Sequence, residues 1–579
     1  MTNKRFYIGL SASLHDPAIA IVNPQGEVVF AEATERYLQD KRAFNSPPDN
    51  LIRTPDLIKE YCDQNAELIL AISWSQPIIF LTKFMSEVSR LFSNFDSVND
   101  LFKKLNWPWP AFQSVITGQA SNMTLAGNSI LGNPELKNKT QVKYYEHHLT
   151  HAAIACYSSP FNEAVCAIID AYGGWGSYDF YQYKNGKIQN FKNPFLEGFG
   201  NGSMGHFYAI ICGLCGFDVV KGEEWKVMGL APYGQYDQNL YQLLQPLIQV
   251  KGIDLYVNIN EYFPSLEKLQ GMIRKPDSSP LEAANLAYTG QLIFMETMEK
   301  LLNNLYNRGI SQNLVYGGGC ALNSTFNGQI LQKTQFQNLH IPFAPADDGN
   351  ALGAALLAYH EDYPQVKPSP KILSPYLGSK ISTKTLDNLV KFGSLKNLQY
   401  FPGAICKKAA ALLAEGKIIG WMQGKAEFGP RALGNRSILT DPRPHDMMDK
   451  INSRIKFRER FRPLAPSILH EFGNEYFEDY QESPYMDKTL KFKHAVLHKV
   501  PAVVHINETG RLQTVKKEWS EKYYNLINEF YQLTGIPLIL NTSFNIMGKP
   551  IIHSVEDAIA VFYTTGLDVL VIEDYLIEK

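Results

Sequence analysis

The sequence has little net charge and no long apolar run. Its 55 Lys and Arg face 57 Asp and Glu, for a formal net charge of −2. That leaves no electrostatic footprint for nucleic acid. No stretch approaches the ~20 apolar residues that cross a bilayer, so no membrane partner is expected. Cysteine is sparse: seven residues, odd in number and scattered. Such a set builds no disulfide framework and fits a reducing cytoplasm. Cys212 and Cys215 form a lone C-x-x-C in an apolar setting, which reads as buried thiols. The N-terminus runs directly into a strand-like segment at residues 6–11, so no signal peptide is expected. There is no Walker A loop, because Gly420 to Lys425 has the wrong spacing and is followed by Ala426.

The 579 residues are 45% hydrophobic, enough for a large core and two or three domains. The most telling stretch is Glu146-His147-His148-Leu149-Thr150-His151-Ala152-Ala153. A helix stacks His147 and His151 on one face, within reach of one metal ion. The zinc-protease motif H-E-x-x-H has its general base at the second position, where this chain has His148. A metal pair without protease chemistry, or a purely structural pair, both fit.

Residues 6–11, 18–22 and 27–31 read as three strands joined by turns, and 164–170, 178–183 and 188–191 repeat the pattern. The repeat suggests an internal duplication of the actin, Hsp70 and sugar-kinase type. A third strand-like segment, 314–316, runs into Gly317-Gly318-Gly319 and on to Asn323. This is either a phosphate-approaching loop or a tight strand-to-helix turn. Asp170 ends a strand, and Asp347 and Asp348 precede a small-residue helix. Two histidines with two aspartates make a mixed N/O site suited to Zn, Fe or Mn; Asp348 reads equally as an N-cap. Residues 76–125 are rich in Phe, Trp and Leu, as core packing or a substrate lid.

Four prolines between Asp362 and Lys380 mark a linker. Beyond it, Arg431 and Arg436 sit beside glycines. Lys450, Arg454, Lys456, Arg458, Arg460 and Arg462 then crowd into 13 residues. A solvated basic face is one reading. The rigid segment Arg462-Pro463-Leu464-Ala465-Pro466 favours arginines held for a phosphate or carboxylate. A buried-looking strand delivers Asn541-Thr542-Ser543-Phe544-Asn545, either a polar turn or a ligand-orienting group.

Taken together, these segments resemble the ATP-dependent carbamoyltransferases of nodulation and of tobramycin and novobiocin O-carbamoylation. The motifs that carry the resemblance span nearly the whole chain. They include Gly9 to Ala12 with His15-Asp16, Glu32 to Lys41, His147 to Ala152, Glu224 to Gly234, Gly317 to Asn323, Gly429 to Ser437, Lys456 to Pro466, Pro501 to Val515 and Asn541 to Pro550. Asn507 and Lys549 depart from the family's usual Asp and Glu.

The resemblance implies an α/β fold in two parts. A duplicated actin/Hsp70/sugar-kinase-like transfer domain would span residues 1–361 and a linker 362–380. A YrdC-like domain at 381–579 would bind carbamoyl phosphate and form the adenylate. ATP and carbamoyl phosphate would give carbamoyl-adenylate, whose carbamoyl group passes to a hydroxyl of a natural product or sugar. An amine acceptor and a chaperone-like ATPase are the alternative activities. By motif position, His147, His151, Asp170 and Asp348 would hold a divalent metal (Fe, Zn or Mn), with Mg accompanying ATP. His15, Lys41 and Arg431 would be catalytic. Gly317, Gly318, Gly319, Asn323 and Lys226 would meet the nucleotide. Arg431, Lys456, Arg462, Arg511, Ser543 and Asn545 would meet carbamoyl phosphate. The expected setting is cytoplasmic secondary metabolism, with homodimerisation left open.

Overall fold

A computed structural model describes residues 4–91, 109–191, 200–368, 371–459 and 461–579. The centre of the aromatic stretch 76–125, and Arg460, lie outside the described residues. The fold is mixed α/β and divides into two compact units. The first comprises Met1–Lys192, Val315–Gly319 and Ala344–Ile372; the second comprises Asn193–Leu314, Cys320–Phe343 and Leu373–Lys579.

In the first unit, β1 (Arg5–Ser11), β2 (Ala18–Val22) and β3 (Val28–Ala33) form the expected antiparallel meander. β4 (Glu67–Ile72) and β5 (Thr140–Tyr144) extend it in parallel, giving the order β3-β2-β1-β4-β5. β1 and β2 are apolar without alternation because both of their faces are covered. The pattern recurs in β6 (Glu163–Gly173), β7 (Gly176–Lys184) and β8 (Lys187–Asn190), with β9 (Asn313–Gly317) beside β6. β6 runs past Asp170 to Gly173 through a break in register. That bulge re-aims the acid at the strand's end.

Four helices of this unit matter for the site: α1 (Gln76–Leu91), α2 (Trp109–Leu125), α3 (His147–Tyr157) and α4 (Gly349–Asp362). α4 is buried over most of its length and packs on both β1 and α3. Two glycines permit this. A Cβ on Gly9 would lie 1.8 Å from the Ala351 carbonyl oxygen, and one on Gly353 would lie 1.9 Å from that of Thr150. The start of α4 is thereby fixed beside the start of α3. Gly9→Ala should cost about 1–3 kcal/mol or more, because backbone rather than a flexible side chain opposes the added carbon. Thermal denaturation should show a lowered Tm; an unchanged Tm would mean that α4 does not dock here.

The second unit contains helices between Met204 and Tyr306 and a nine-stranded mixed sheet that runs to the C-terminus. Four neighbouring strands of that sheet are Arg436–Thr440, Leu538–Ser543, Ala465–Leu469 and Thr509–Val515. Trp421, Ile468, Leu526, Phe530 and Leu540 are among the residues of its core. Cys212 and Cys215 are buried and unbridged, and burial pushes both thiols up, as inert core thiols require. Among the described residues no helix is long and apolar enough to cross a membrane.

Candidate functional site

The first unit gathers four ligand-type side chains: His147 and His151 from α3, Asp170 from the end of β6, and Asp347 before α4. One donor atom from each lies within 4.8 Å of the others. The two imidazole Nε2 atoms are 3.3 Å apart. His151 Nε2 is 3.3 Å from both Asp170 Oδ2 and Asp347 Oδ1, and His147 Nε2 is 3.5 Å from Asp347 Oδ1. Both histidines are essentially buried.

Second contacts orient the rings. His151 Nδ1 is 3.1 Å from the Pro345 carbonyl, which accepts its N–H and turns Nε2 toward the carboxylates. His147 stacks on Trp74 with ring centroids 4.1 Å apart. The Asn350 amide reaches His151 Nε2 at 3.0 Å. The glycine run closes the other side. Gly318, at φ +86, would place a Cβ 2.3 Å from the Ile169 carbonyl, and one on Gly319 would lie 2.8 Å from Asp170 Oδ1.

The electrostatics call for a cation. Burial opposes charge on His151, yet hydrogen bonds to Asp170 and Asp347 push its pKa up to about 9. Burial likewise opposes a charged Asp347, but His147 and His151 outweigh it and hold Asp347 well below the usual range. Burial lowers His147. Without a metal, the cluster thus recruits a proton to offset two buried carboxylates. Two imidazoles and two carboxylates suit a divalent transition ion better than magnesium.

The fourth ligand expected from sequence, Asp348, is corrected by this geometry: its neighbour Asp347 meets the histidines. Asp348 Oδ1 instead accepts from the Gly349 N–H at 3.0 Å at the start of α4. Burial, then the charges of Asp16 and Glu35, push Asp348 up to about 7. In a two-residue acidic run only the tertiary fold decides which carboxylate turns inward.

His15 sits in the β1–β2 loop with Nδ1 2.8 Å from Asp16 Oδ2, which leaves Nε2 as the free ring nitrogen. Burial and Arg42 oppose its protonation, but Asp16 and Asp347 outweigh them and raise its pKa. Lys41 is exposed on the short turn Lys41–Ala43. His148 is buried with Nδ1 3.0 Å from Asp179 Oδ2 and stands outside the four-donor group.

Lys226 and Asn323 belong to the second unit. Lys226 pairs with Glu223 at 2.6 Å and Glu459 at 3.3 Å. The Asn323 amide is engaged by Gln291 and caps the Phe326 N–H.

The basic run divides. Lys450 and Arg454 face solvent beside Asp446 and Asp568. A widened π-type turn over Asn452–Lys456 and a left-handed Phe457, at φ 46, then shift the phase of the chain. Lys456, Arg458 and Arg462 therefore turn inward. Lys456 Nζ donates to the Ser543 carbonyl and to Asn545 Oδ1 at 2.6 Å, and Ser543 Oγ donates to Asn545 Oδ1 at 2.8 Å. Arg462 pairs with Glu459 at 2.5 Å and lies over Trp225 at 4.4 Å.

Arg431 and Arg458 are close enough to Arg511 to oppose its charge. Burial pushes Arg431 and Arg458 down to about 10, and burial with the charges of the other two holds Arg511 well below the usual range. Arg511 Nε and Arg458 Nη2 are buried without a hydrogen-bond partner. The Arg431 loop is held by Glu427, whose Oε1 accepts from the N–H groups of Leu433, Asn435 and Arg436 at 2.7, 2.8 and 3.1 Å. Arg436 is fully buried and donates to the carbonyls of Gln423, Asn435, Ser379 and Gly424, a structural role. Sequence reading missed Arg458 as a site residue and did not foresee Glu427 or Asn350.

A donor cluster suited to a transition ion and a group of arginines suited to a small anion, on mixed α/β units, define a candidate group-transfer protein. The Carbamoyltransferase N-terminus model matches residues 7–356 and the Carbamoyltransferase C-terminus model matches residues 410–579. The chain belongs to the carbamoyltransferase family, and its class of activity is that of a transferase. It is 30% identical over 611 aligned positions to the uncharacterized protein sll1178 of Synechocystis sp., covering 99% of this chain and 96% of that protein. It is 34% identical to nodulation protein NolO of Bradyrhizobium diazoefficiens, over 75% of this chain and 78% of that one. Among solved structures, full-length HypF in its phosphate- and nucleotide-bound form aligns at TM-score 0.34 and 11% identity, over 62% of this chain and 55% of that one.

Proposed function

We propose that the chain is an ATP-dependent O-carbamoyltransferase whose two units divide the reaction. At the Arg431/Arg458/Arg511 group water cleaves carbamoyl phosphate to carbamate and phosphate, and a carbamate oxygen then attacks the α-phosphorus of ATP, whose α–β phosphoanhydride bond breaks to give carbamoyl-adenylate and pyrophosphate. A hydroxyl acceptor then takes the carbamoyl group near His15 and the four-donor cluster, and AMP leaves. The observation that carries this reading is the arginine group: three partly desolvated cations with buried donors left unpaired. Such an arrangement is costly unless a compact, multiply charged anion completes it. Carbamoyl phosphate is such an anion, and Lys456, Ser543 and Asn545 form a polar group of the same unit.

His147, His151, Asp170 and Asp347 would hold the metal. When bound, it supplies Lewis-acid polarisation of a carbonyl or phosphoryl oxygen. His15, held by Asp16 through Nδ1, takes the acceptor's hydroxyl proton at Nε2. The glycine run Gly317–Gly319 would let backbone approach the nucleotide phosphates.

The test is product analysis with ATP, carbamoyl phosphate and a hydroxyl acceptor. AMP and pyrophosphate are expected to form in step with a carbamoyl mass gain on the acceptor. ADP as the sole nucleotide product would point to a kinase or ATPase instead.

A further inference from the structure

Two polar atoms beside His147 are buried, unpartnered and unused by the proposed reaction. One is the indole N–H of Trp74. Trp74 follows β4, is 7% exposed and stacks its ring on the His147 imidazole, with centroids 4.1 Å apart. Its two neighbours tie the segment down. The Ser73 N–H donates to the Leu10 carbonyl at 3.1 Å, and the Ser75 hydroxyl donates to Glu146 Oε1 at 2.8 Å. Yet Trp74 Nε1 has no hydrogen-bond partner. An indole nitrogen is a donor only, so the missing partner is an acceptor.

The other atom is Nε2 of His148. This ring is 2% exposed, with its centroid 5.8 Å from that of His147. Its Nδ1 donates to Asp179 Oδ2 at 3.0 Å, and the Asn190 amide fixes Asp179 by donating to Oδ1 at 3.0 Å. With the Nδ1 proton committed, Nε2 is left an acceptor, and it too has no partner. Gly173 keeps side-chain atoms away from it: a Cβ there would lie 2.7 Å from His148 Nε2 and 2.4 Å from His147 Cδ2.

Buried polar groups are nearly always satisfied, so an empty donor and an empty acceptor beside one histidine call for an explanation. The two demands are opposite in kind: one is for an oxygen lone pair, the other for an N–H or O–H. A phosphate or carboxylate offers acceptors alone and leaves His148 unmet. A primary amide offers both in one plane, a carbonyl oxygen and an amino group.

We propose that Trp74 and His148 recognise the carbamoyl group at the transfer site. The Trp74 N–H donates to the carbamoyl oxygen, and His148 Nε2 accepts from the carbamoyl amino group. The proposal rests on the O-carbamoyltransferase reading and adds two specificity-determining residues to it. An acetyl group has the same shape but carries a methyl where His148 needs a donor, so the pair selects carbamoyl over acetyl.

The test is calorimetric titration of the full chain with three adenosine ligands. These are 5′-O-(N-carbamoylsulfamoyl)adenosine, its N-acetyl counterpart with a methyl in place of the amino group, and AMP. Wild type should bind the carbamoyl compound about tenfold more tightly than the acetyl one. Trp74→Phe keeps the stacked ring and removes the N–H. It should weaken both acyl compounds by about tenfold and leave AMP unchanged. His148→Asn keeps an N–H for Asp179 and removes Nε2. It should erase the preference for carbamoyl over acetyl and leave AMP unchanged. Equal loss of all three ligands would mark the residues as structural and overturn the proposal. Unchanged acyl affinities in both variants would mean that solvent meets the two atoms, and would overturn it too. Carbamoyl phosphate-dependent ATP–pyrophosphate exchange reads the O-carbamoyltransferase assignment separately. Exchange beside unchanged acyl affinities would remove this proposal alone; no exchange and no preference among the three ligands would remove both.

Discussion

His147→Ala should leave the purified chain depleted of its transition metal, with affinity lower by more than about 100-fold. Partners outside the ligand shell alone typically supply about 10- to 100-fold, and His147 is assigned here as a ligand. Asp347→Asn should do the same, because Asp347 is the carboxylate within 3.5 Å of both imidazoles. Asp348→Asn should keep its metal, because that side chain is turned to the start of α4. Metal analysis by mass spectrometry on the three variants decides the matter. Full occupancy in His147→Ala would remove the residue from the ligand set, and depletion in Asp348→Asn would restore that residue to it. Carbamoyl phosphate-dependent ATP–pyrophosphate exchange should persist in His147→Ala, since the arginine group lies in the other unit.

Arg511→Ala should produce opposite effects on binding and on stability. A charge-assisted hydrogen bond contributes about 1.5–3 kcal/mol, so carbamoyl phosphate-dependent exchange should fall by about 10- to 100-fold. The ligand-free chain should meanwhile melt at a temperature equal to or above that of wild type. The physical reason is repulsion. Arg511 is burdened by burial and by the charges of Arg431 and Arg458, and its Nε has no partner. On the proposed reading, a group of like charges kept for an anion costs the empty fold stability, as stability–function trade-offs would have it. Arg431→Ala should lose exchange similarly while carbamoyl-adenylate, supplied ready-made, is still consumed. A lowered Tm with unchanged exchange in Arg511→Ala would mean that the arginine supports structure rather than binding.

Much of the first unit was legible in the chain. The two meanders stand out because apolar runs of five to seven residues alternate with Asn-Pro-Gln-Gly and Lys-Asn-Gly-Lys turns, and turn chemistry is local. The His147/His151 pair was legible because helical spacing puts i and i+4 on one face. The arginine group was only half legible. Lys450 to Arg462 reads as one basic run, yet the widened turn at Asn452–Lys456 sends part of it to solvent and part inward. Nothing local announces such a phase shift. Glu427 gave no sequence signal, because its partners are backbone N–H groups that every residue carries.

The sequence by itself determined the duplicated strands, the helical histidine pair and the inventory of donors and cations. These follow from short-range periodicity and side-chain chemistry. Only the tertiary structure decided that Asp347, not Asp348, meets the histidines. That choice depends on how α4 seats against β1 and α3 through Gly9 and Gly353. The tertiary structure also drew Arg458 and Arg511, 53 positions apart in the chain, together, each with one buried donor left without a partner. That approach exists only once the strand Thr509–Val515, which carries Arg511, has been set in its sheet, and no local pattern encodes it.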